Sequence, residues 1–136
     1  MLVEIEHDGA VPLYRQLRDQ VVEAIADGRL HSGDALPATR RLAADLGINM
    51  HTVNKAYDLL RREGLIRLGR RTGAVIVRDG QGGPPPAEAA HRWETRARTL
   101  LAEAVAMGLP SADVQRRCRA ILDGFGGAPG GLEEAP

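Results

Sequence analysis

Three observations predict an α+β fold, mainly α, for this 136-residue chain. Apolar residues recur at helical spacing on both sides of Gly47 within residues 36–63. A β-rich hairpin pattern follows at 65–77, and two further amphipathic stretches occupy 87–125. We therefore predict an N-terminal winged helix-turn-helix followed by a C-terminal two-helix dimerisation hairpin.

The first helix is predicted to begin near residue 13. An apolar side chain recurs every four residues, at Leu13, Leu17, Val21 and Ile25. Pro12 stands where a proline in the first turn is tolerated, and Gly28 ends the stripe. We expect this stripe to dock on the following helices, and residues 30–37 to form a turn-rich bridge to the second helix.

A helix-turn-helix is predicted next. Ala43, Gly47 and Val53 place a small residue where two helices cross, a glycine in the turn and a core residue on the second helix. That helix, the third of the chain (α3), is expected at residues 50–63. Asn49 is its predicted N-cap, with its side-chain oxygen accepting from the amide of Thr52, and Gly64 follows its C-terminus.

The predicted helix α3 has two distinct faces. The apolar positions that should face the core are Val53, Ala56, Tyr57 and Leu60. The opposite face, which we call the α3 polar face, consists of His51, Asn54, Lys55, Asp58, Arg61 and Arg62. Such side chains can reach base edges or phosphates from a major groove, although arginines at these positions are also common on a solvated helix surface.

The predicted hairpin carries Gly69-Arg70-Arg71-Thr72-Gly73 at its tip. Two adjacent arginines there indicate a wing that grips phosphates or enters a minor groove. The alternative is a basic turn that only faces solvent. The wing interpretation is favoured because the hairpin directly follows the two helices.

Charge is sorted along the chain, although the net charge is zero. Residues 1–35 carry a net −4, residues 36–78 carry +6 and residues 79–136 carry −2. The helix-turn-helix and wing therefore form a basic region between acidic flanks, which is typical of a nucleic-acid-binding surface.

Several functional classes lack support in the sequence. Cys118 is the only cysteine and the four histidines lack ligand spacing, so we expect neither a disulfide nor a metal site. No nucleophile is paired with a base, so neither catalysis nor a cofactor is expected. The N-terminus does not resemble a signal peptide and no stretch suits a membrane helix, so we expect a cytoplasmic protein.

The predicted domains are 1–78, a DNA-binding winged helix-turn-helix; 79–86, a Gly/Pro linker; 87–125, the helical hairpin; and 126–136, a flexible tail. The apolar seam of the hairpin suggests a dimer, because two helices cannot close a core of their own. An alternative is a hairpin folded back on the DNA-binding domain. The seam comprises Trp93, Ala97, Leu100, Leu101, Ala104, Met107, Val114, Cys118 and Ile121.

The first 78 residues resemble the GntR family of bacterial transcription regulators. The resemblance rests on PLYRQLRDQVVEAIADGRLHSGDALPATRRLAADLG, TVNKAY and LLRREGLI. The stretch from Asn49 to Tyr57 and the hairpin containing LLAEAVAMGLPSADV are similar to the YtrA-type subfamily, whose small C-terminal region serves dimerisation. The N-terminal part is also similar to regulators fused to an aminotransferase-like domain, which this chain is too short to include, so no pyridoxal cofactor is implied.

The resemblance also implies roles for individual residues. Arg40 corresponds to the family's helix-start arginine, and Thr52 to its frequent threonine. Where the family commonly has a serine, this chain has Ala38, and Thr39 is the substitute for the lost hydroxyl group. Where the family commonly has an arginine, this chain has Met50, which suits a thymine methyl group better than guanine. The resulting DNA-contact set is Thr39, Arg40, Asn49, Met50, His51, Thr52, Asn54, Lys55, Arg70 and Arg71.

The sequence thus predicts a homodimeric transcription regulator, a repressor, that binds a palindromic operator in double-stranded DNA. The alternative is a winged-helix module for protein contact or for nonspecific, architectural DNA binding. A small-molecule effector is a further expected partner, bound between the helical hairpins near Trp93, Leu100 and Met107.

Overall fold

The computed structural model describes residues 4–69 and 73–125. These residues form five helices and a two-stranded antiparallel sheet, which confirms the mainly helical α+β class. The elements are α1 (Leu13–Ala26), α2 (Thr39–Leu46), α3 (Met50–Arg62), β1 (Ile66–Gly69), β2 (Gly73–Ile76), α4 (Ala87–Ala106) and α5 (Ser111–Gly124). The chain divides into two compact units between Gly82 and Gly83, within the Gly/Pro segment.

Helix α1 begins after Pro12, whose carbonyl oxygen accepts from the backbone amides of Arg15 and Gln16 at 3.0 Å. Leu17 and Val21 are fully buried, as the four-residue stripe predicted. The ends of that stripe, Leu13 and Ile25, are only half-buried, because the buried strip passes through Ala24 instead. A straight α-helix has 3.6 residues per turn, so a strict four-residue repeat drifts off the packed face.

The turn between α2 and α3 is made by Gly47, which has φ +68°. Such a left-handed conformation costs a glycine little, and it lets the amide of Ile48 bond the carbonyl oxygen of Ala43 at 3.0 Å. Asn49 is the N-cap of α3, as predicted, but its side chain accepts from the amide of His51 at 2.7 Å.

The prediction that Asn49 would cap the amide of Thr52 with its side chain was wrong. The Thr52 amide instead donates to the backbone carbonyl oxygen of Asn49 at 2.9 Å. Both arrangements satisfy an amide in the first turn of a helix, and local backbone geometry selects between them. At the other end Gly64, with φ +80°, follows α3 as predicted.

The core of the N-terminal unit lies between α1, α2, α3 and the sheet. Val53, Ala56, Tyr57 and Leu60 are at most 1% exposed, so the predicted inner face of α3 is confirmed. Leu42 and Ala43 contribute from α2. The remaining buried apolar residues are Leu17, Val21, Ala24, Leu30, Leu36, Ile66, Ala74 and Ile76.

Strands β1 and β2 pair with Ile66 opposite Ile76 and Gly69 opposite Gly73. The bridge before α2 adds a third partner to this hairpin, which the sequence did not predict. The amide of Gly33 donates to the Ile76 carbonyl oxygen, and the amide of Leu36 donates to that of Ala74, both at 2.8 Å. The wing is therefore joined along β2 to the segment that leads into α2.

The C-terminal unit contains α4 and α5, joined by a turn at Gly108, which has φ +93°. This turn separates the two amphipathic stretches that were predicted within residues 87–125. No described residue of α4 or α5 is fully buried. No helix in the described part of the chain is long and apolar enough to cross a membrane.

Candidate nucleic-acid interface

The α3 polar face lies on the side of the helix opposite its buried residues. His51, Asn54 and Lys55 are exposed, and their spacing of three and four residues puts them side by side. Asn49 is also exposed, while Met50 and Thr52 are half-buried at the start of the helix. The first half of α3 thus brings six of the predicted contact residues onto one end of the helix.

Tyr57 connects α3 to the start of α2. Its hydroxyl group donates to the backbone carbonyl oxygen of Pro37 at 2.7 Å. Burial raises the pKa of the Tyr57 phenol, because an ionised phenolate would lose its hydration there. This hydrogen bond fixes the chain two residues before Thr39 and so positions the first turn of α2 relative to α3.

The first turn of α2 contains Thr39 and Arg40, the other two predicted contact residues in the helical part. Arg40 is exposed and Thr39 is half-buried. Ala38 is the N-cap residue and makes no side-chain capping hydrogen bond, in keeping with the loss of a hydroxyl group that the sequence predicted. Arg41 extends toward Asp45 at 3.9 Å on the exposed surface.

Arg61 and Arg62, at the end of α3, share one carboxylate. Asp58 accepts from Arg61 at 2.6 Å and from Arg62 at 3.1 Å. These contacts, that of Arg61 above all, lower the pKa of the Asp58 carboxyl. Oppositely charged residues three or four positions apart on a helix commonly form ion pairs, so the sequence contained a signal for this cluster.

Helix α1 holds the end of α3 by an ion pair that the sequence did not predict. The Nε atom of Arg18 lies 2.9 Å from Oε1 of Glu63, and its Nη2 atom lies 3.0 Å from Oε2. Burial lowers the pKa of Arg18, but the hydrogen bonds to Glu63 and Asp19 outweigh that effect and leave the pKa raised. This two-point contact joins α1 to the C-terminal end of α3.

Lys55 contacts an aromatic ring, which sequence reasoning also missed. Its ammonium nitrogen lies 4.2 Å from the ring centroid of Tyr14, in the first turn of α1. The two residues stand on different helices, and no spacing rule connects them. Beside them is a cleft of about 380 Å³ lined by Leu13, Asn49, His51 and Thr52.

The wing contributes less to the described surface. Arg67 and Leu68 are exposed on β1. The predicted tip residues Arg70 and Arg71 lie outside the described residues, so their contact role stays a prediction. Among the described residues, no cluster of three or more metal-binding side chains is present.

The predicted seam of the C-terminal unit falls into two groups. Ala97, Ala104 and Val114 are half-buried. Trp93, Leu100 and Met107 are 62%, 65% and 74% exposed, at seven-residue intervals along α4 and its C-cap residue, Met107. Leu101, Cys118 and Ile121 are exposed as well. Leu101, Val114 and Cys118 line a groove of about 760 Å³.

Comparisons with known proteins agree on one family. The family described as "Bacterial regulatory proteins, gntR family" matches residues 13–76. The transcriptional repressor YtrA of Bacillus subtilis is 37% identical over 55% of this chain, and the match spans 58% of that protein. The transcriptional regulator Rv1152 of Mycobacterium tuberculosis is 34% identical over 82% of this chain and 87% of its own.

A solved structure extends the similarity beyond the N-terminal unit. YtrA from Sulfolobus acidocaldarius, a GntR-family transcription factor, is 35% identical to this chain with a TM-score of 0.61. The match covers 78% of this chain and 99% of that one. The resemblance found in the sequence is therefore confirmed, including its YtrA-type character.

Proposed function

The chain belongs to the GntR family of transcription regulators, and on that premise we propose that it acts as a homodimeric repressor that binds a palindromic operator. Its relatives are transcription regulators with a helix-turn-helix DNA-binding domain and not enzymes. A regulator of this kind acts in the cytoplasm, where the bacterial chromosome lies. The name of the B. subtilis relative, a repressor, supports the direction of regulation.

The observation that carries the proposal is the polar outer face of α3. Four buried residues hold the helix on the core, and His51, Asn54 and Lys55 stand exposed on the opposite side. The surrounding segment, residues 36–78, carries a net charge of +6, which attracts phosphates. A helix held in this way can lie in a major groove with its polar side chains toward the base edges.

We assign the DNA contacts to three groups of residues. Thr39 and Arg40 approach the backbone from the first turn of α2, and Arg70 and Arg71 do so from the wing tip. The start of α3 lies in the groove with Asn49, Met50, His51, Thr52 and Asn54, and Lys55 contacts the phosphate backbone beside it. Met50 contacts a thymine methyl group or recognises the shape of the DNA. The base sequence of the operator therefore differs from that of sites recognised by an arginine at this position.

Dimerisation is assigned to the C-terminal hairpin. Trp93, Leu100 and Met107 form an exposed apolar stripe at seven-residue spacing along α4 and its C-cap residue, and Leu101, Cys118 and Ile121 are also exposed in this unit. Exposed apolar stripes of this length mark interaction sites, and a second copy of the chain buries both stripes at once. In a dimer with twofold symmetry, two α3 helices face two half-sites, so the proposed operator is palindromic.

Each domain in this assignment has one task. Residues 1–78 bind DNA, 79–86 link the units, and 87–125 dimerise; the tail assigned to 126–136 lies outside the described residues. A small-molecule effector bound between the dimer's hairpins, beside Trp93, Leu100 and Met107, would change the spacing of the DNA-binding units.

Selection of bound duplexes from a random library tests the proposed operator recognition. The wild-type chain should enrich a sequence with twofold symmetry, and its binding should survive an excess of random DNA. Arg40→Ala and Lys55→Ala should each weaken operator binding, because each variant removes a positive charge that contacts the phosphate backbone. Arg92→Ala, on the exposed surface of α4, is the control and should bind like the wild type.

Two results would contradict the proposal. If the Arg40/Lys55 double variant binds the operator as tightly as the wild type, the assigned surface is not the DNA-binding surface. Equal binding to every duplex, weakening uniformly as salt rises, would indicate the architectural function instead.

A further inference from the structure

We propose that Tyr14 is a positioning residue for DNA binding: its ring holds the ammonium group of Lys55 where that group contacts a DNA phosphate. The proposal rests on the proposed function, because it concerns the same surface of α3. It adds the first turn of α1 to that surface, although none of the predicted contact residues lies there.

The ring of Tyr14 is held by the core and lies close to the exposed ammonium group of Lys55. Lys55 is exposed, and its nitrogen lies 4.2 Å from the centroid of the Tyr14 ring. Tyr14 is half-buried and packs against the hydrophobic core, so the core restricts the movement of its ring. The negative face of an aromatic ring attracts an ammonium group within about 6 Å of the centroid.

A ring holds the lysine without neutralising its charge. Arg61 and Arg62 face the carboxylate of Asp58, and that negative charge opposes a phosphate at the same place. The ring under Lys55 carries no net charge, so the full positive charge stays available. The ammonium group has three N–H donors, of which those directed away from the ring remain free for phosphate oxygens.

Restriction of the side chain also favours binding. A free lysine side chain has many rotamers and loses this freedom when it binds a phosphate. Contact with Tyr14 removes part of that freedom before DNA arrives, which lowers the entropic cost of binding. The side chain therefore begins near its bound position, beside the cleft lined by Asn49, His51 and Thr52.

A double-mutant cycle tests the proposal. The proteins are the full-length wild type, Tyr14→Leu, Lys55→Ala and the double variant, and the probe is a short random-sequence duplex at low salt, because a phosphate contact does not depend on base sequence. Tyr14→Leu should weaken binding about twofold to fivefold per chain, as expected for loss of an exposed cation–π contact. In the Lys55→Ala background it should have no further effect.

Tyr14→Phe is the matched variant, since it keeps the aromatic face and removes only the hydroxyl group. It should bind like the wild type. In the free wild-type protein, NMR should show the protons next to the Lys55 nitrogen shifted upfield by the ring, and the shift should persist in Tyr14→Phe. Circular dichroism and thermal unfolding check each fold, and Tyr14→Met, an unbranched side chain without a ring, replaces the leucine variant if that one unfolds.

Several results would overturn the proposal. An unchanged affinity of Tyr14→Leu, or an equal loss in both backgrounds, would show that Tyr14 does not act through Lys55. Tighter binding by Tyr14→Leu would mean that the ring holds Lys55 away from DNA. Absence of the upfield shift would show that Lys55 does not contact the Tyr14 ring in solution. Failure of the wild type to bind any duplex would instead refute the proposed function.

Discussion

The hydroxyl group of Tyr57 donates a 2.7 Å hydrogen bond to the backbone carbonyl oxygen of Pro37. This bond joins the middle of α3 to the residue just before the N-cap of α2. It thereby positions Thr39 and Arg40 relative to the α3 polar face. One buried tyrosine therefore both fills the core and aligns the two helices of the helix-turn-helix.

We expect Tyr57→Phe to lower the free energy of unfolding by about 0.5–1.5 kcal/mol, because the Pro37 carbonyl oxygen loses its partner. The pH dependence of the free energy of unfolding should also differ between Tyr57→Phe and the wild type. Burial raises the pKa of Tyr57 in the folded state, so the neutral phenol contributes stability that is fully present below the unfolded-state pKa of about 10 and is lost as pH rises beyond it.

Urea unfolding measured below and above pH ~10 checks this expectation. The wild type should lose stability on alkalinisation more steeply than Tyr57→Phe, since both chains share all other titrating groups. Parallel curves for the two proteins would show that Tyr57 is not held neutral by the fold.

Ala38→Ser should stabilise the chain. Ala38 is the N-cap of α2, with φ −60° and ψ 145°, and makes no capping hydrogen bond through its side chain. A serine hydroxyl there can accept from an amide in the first turn, a contact worth about 1 kcal/mol. Thermal or urea unfolding measures the gain.

The matched control is Ala44→Ser, at an exposed position inside the same helix. Serine has a lower helix propensity than alanine, so this variant should lose about 0.5 kcal/mol. If Ala38→Ser is no more stable than the wild type, the start of α2 differs from the structure.

Asp79 should support the fold at neutral pH but not in acid. Its carboxylate accepts from the backbone amides of Ser32 and Gln81, each at 2.9 Å, and these bonds lower its pKa. A lowered folded-state pKa gives stability that is present above the unfolded-state value of about 3.9 and is lost as pH falls through the folded-state pKa.

Asp79→Asn therefore should be less stable than the wild type at neutral pH, and the difference should shrink as pH falls below about 4. Unfolding by urea at a series of acidic pH values measures it. Asp123→Asn, at an exposed carboxylate on α5, is the control. A difference that stays constant with pH would mean that the two hydrogen bonds do not depend on the charge.

Leu100→Glu should dissociate the proposed homodimer. Leu100 lies at the centre of the exposed apolar stripe of α4, between Trp93 and Met107. Burial of an unpaired carboxylate costs about 3 kcal/mol or more, and twofold symmetry places two of them in the interface. Sedimentation equilibrium should show a monomer where the wild type is a dimer.

Ala102→Glu introduces the same side chain on the opposite side of α4, and it should leave the dimer intact. Ala102 is exposed and lies two residues beyond Leu100, about 160° away around the helix. Equal dissociation by both variants would indicate a general effect of charge on the hairpin and would leave the stripe without its assigned role.

Local patterns were sufficient to predict the helices and the hairpin. The predicted span of 50–63 for α3 differs by one residue from Met50–Arg62. Gly47 and Gly64 were identified correctly because each helix end needs a backbone conformation that glycine adopts at low cost. The ion pairs of Asp58 follow helical spacing as well, and the sequence contained that signal.

Contacts between distant residues were not predictable in this way. The pairing of residues 33–36 with β2 requires that the bridge pass beside the sheet, which follows from packing and not from its turn-rich composition. The same holds for Arg18 with Glu63, 45 residues apart. Periodicity shows which face of a helix is buried, but it does not identify the side chain that lies opposite.

The sequence by itself determined the order of elements, the basic segment and the GntR-type helix-turn-helix, because helical periodicity, glycine positions and charge are local properties. Only the tertiary structure decided how individual polar groups are used. It placed Lys55 over the ring of Tyr14 and the hydroxyl group of Tyr57 on Pro37. Both contacts join residues about 20 or more positions apart, and they form only after the core has fixed α1, α2 and α3 against one another.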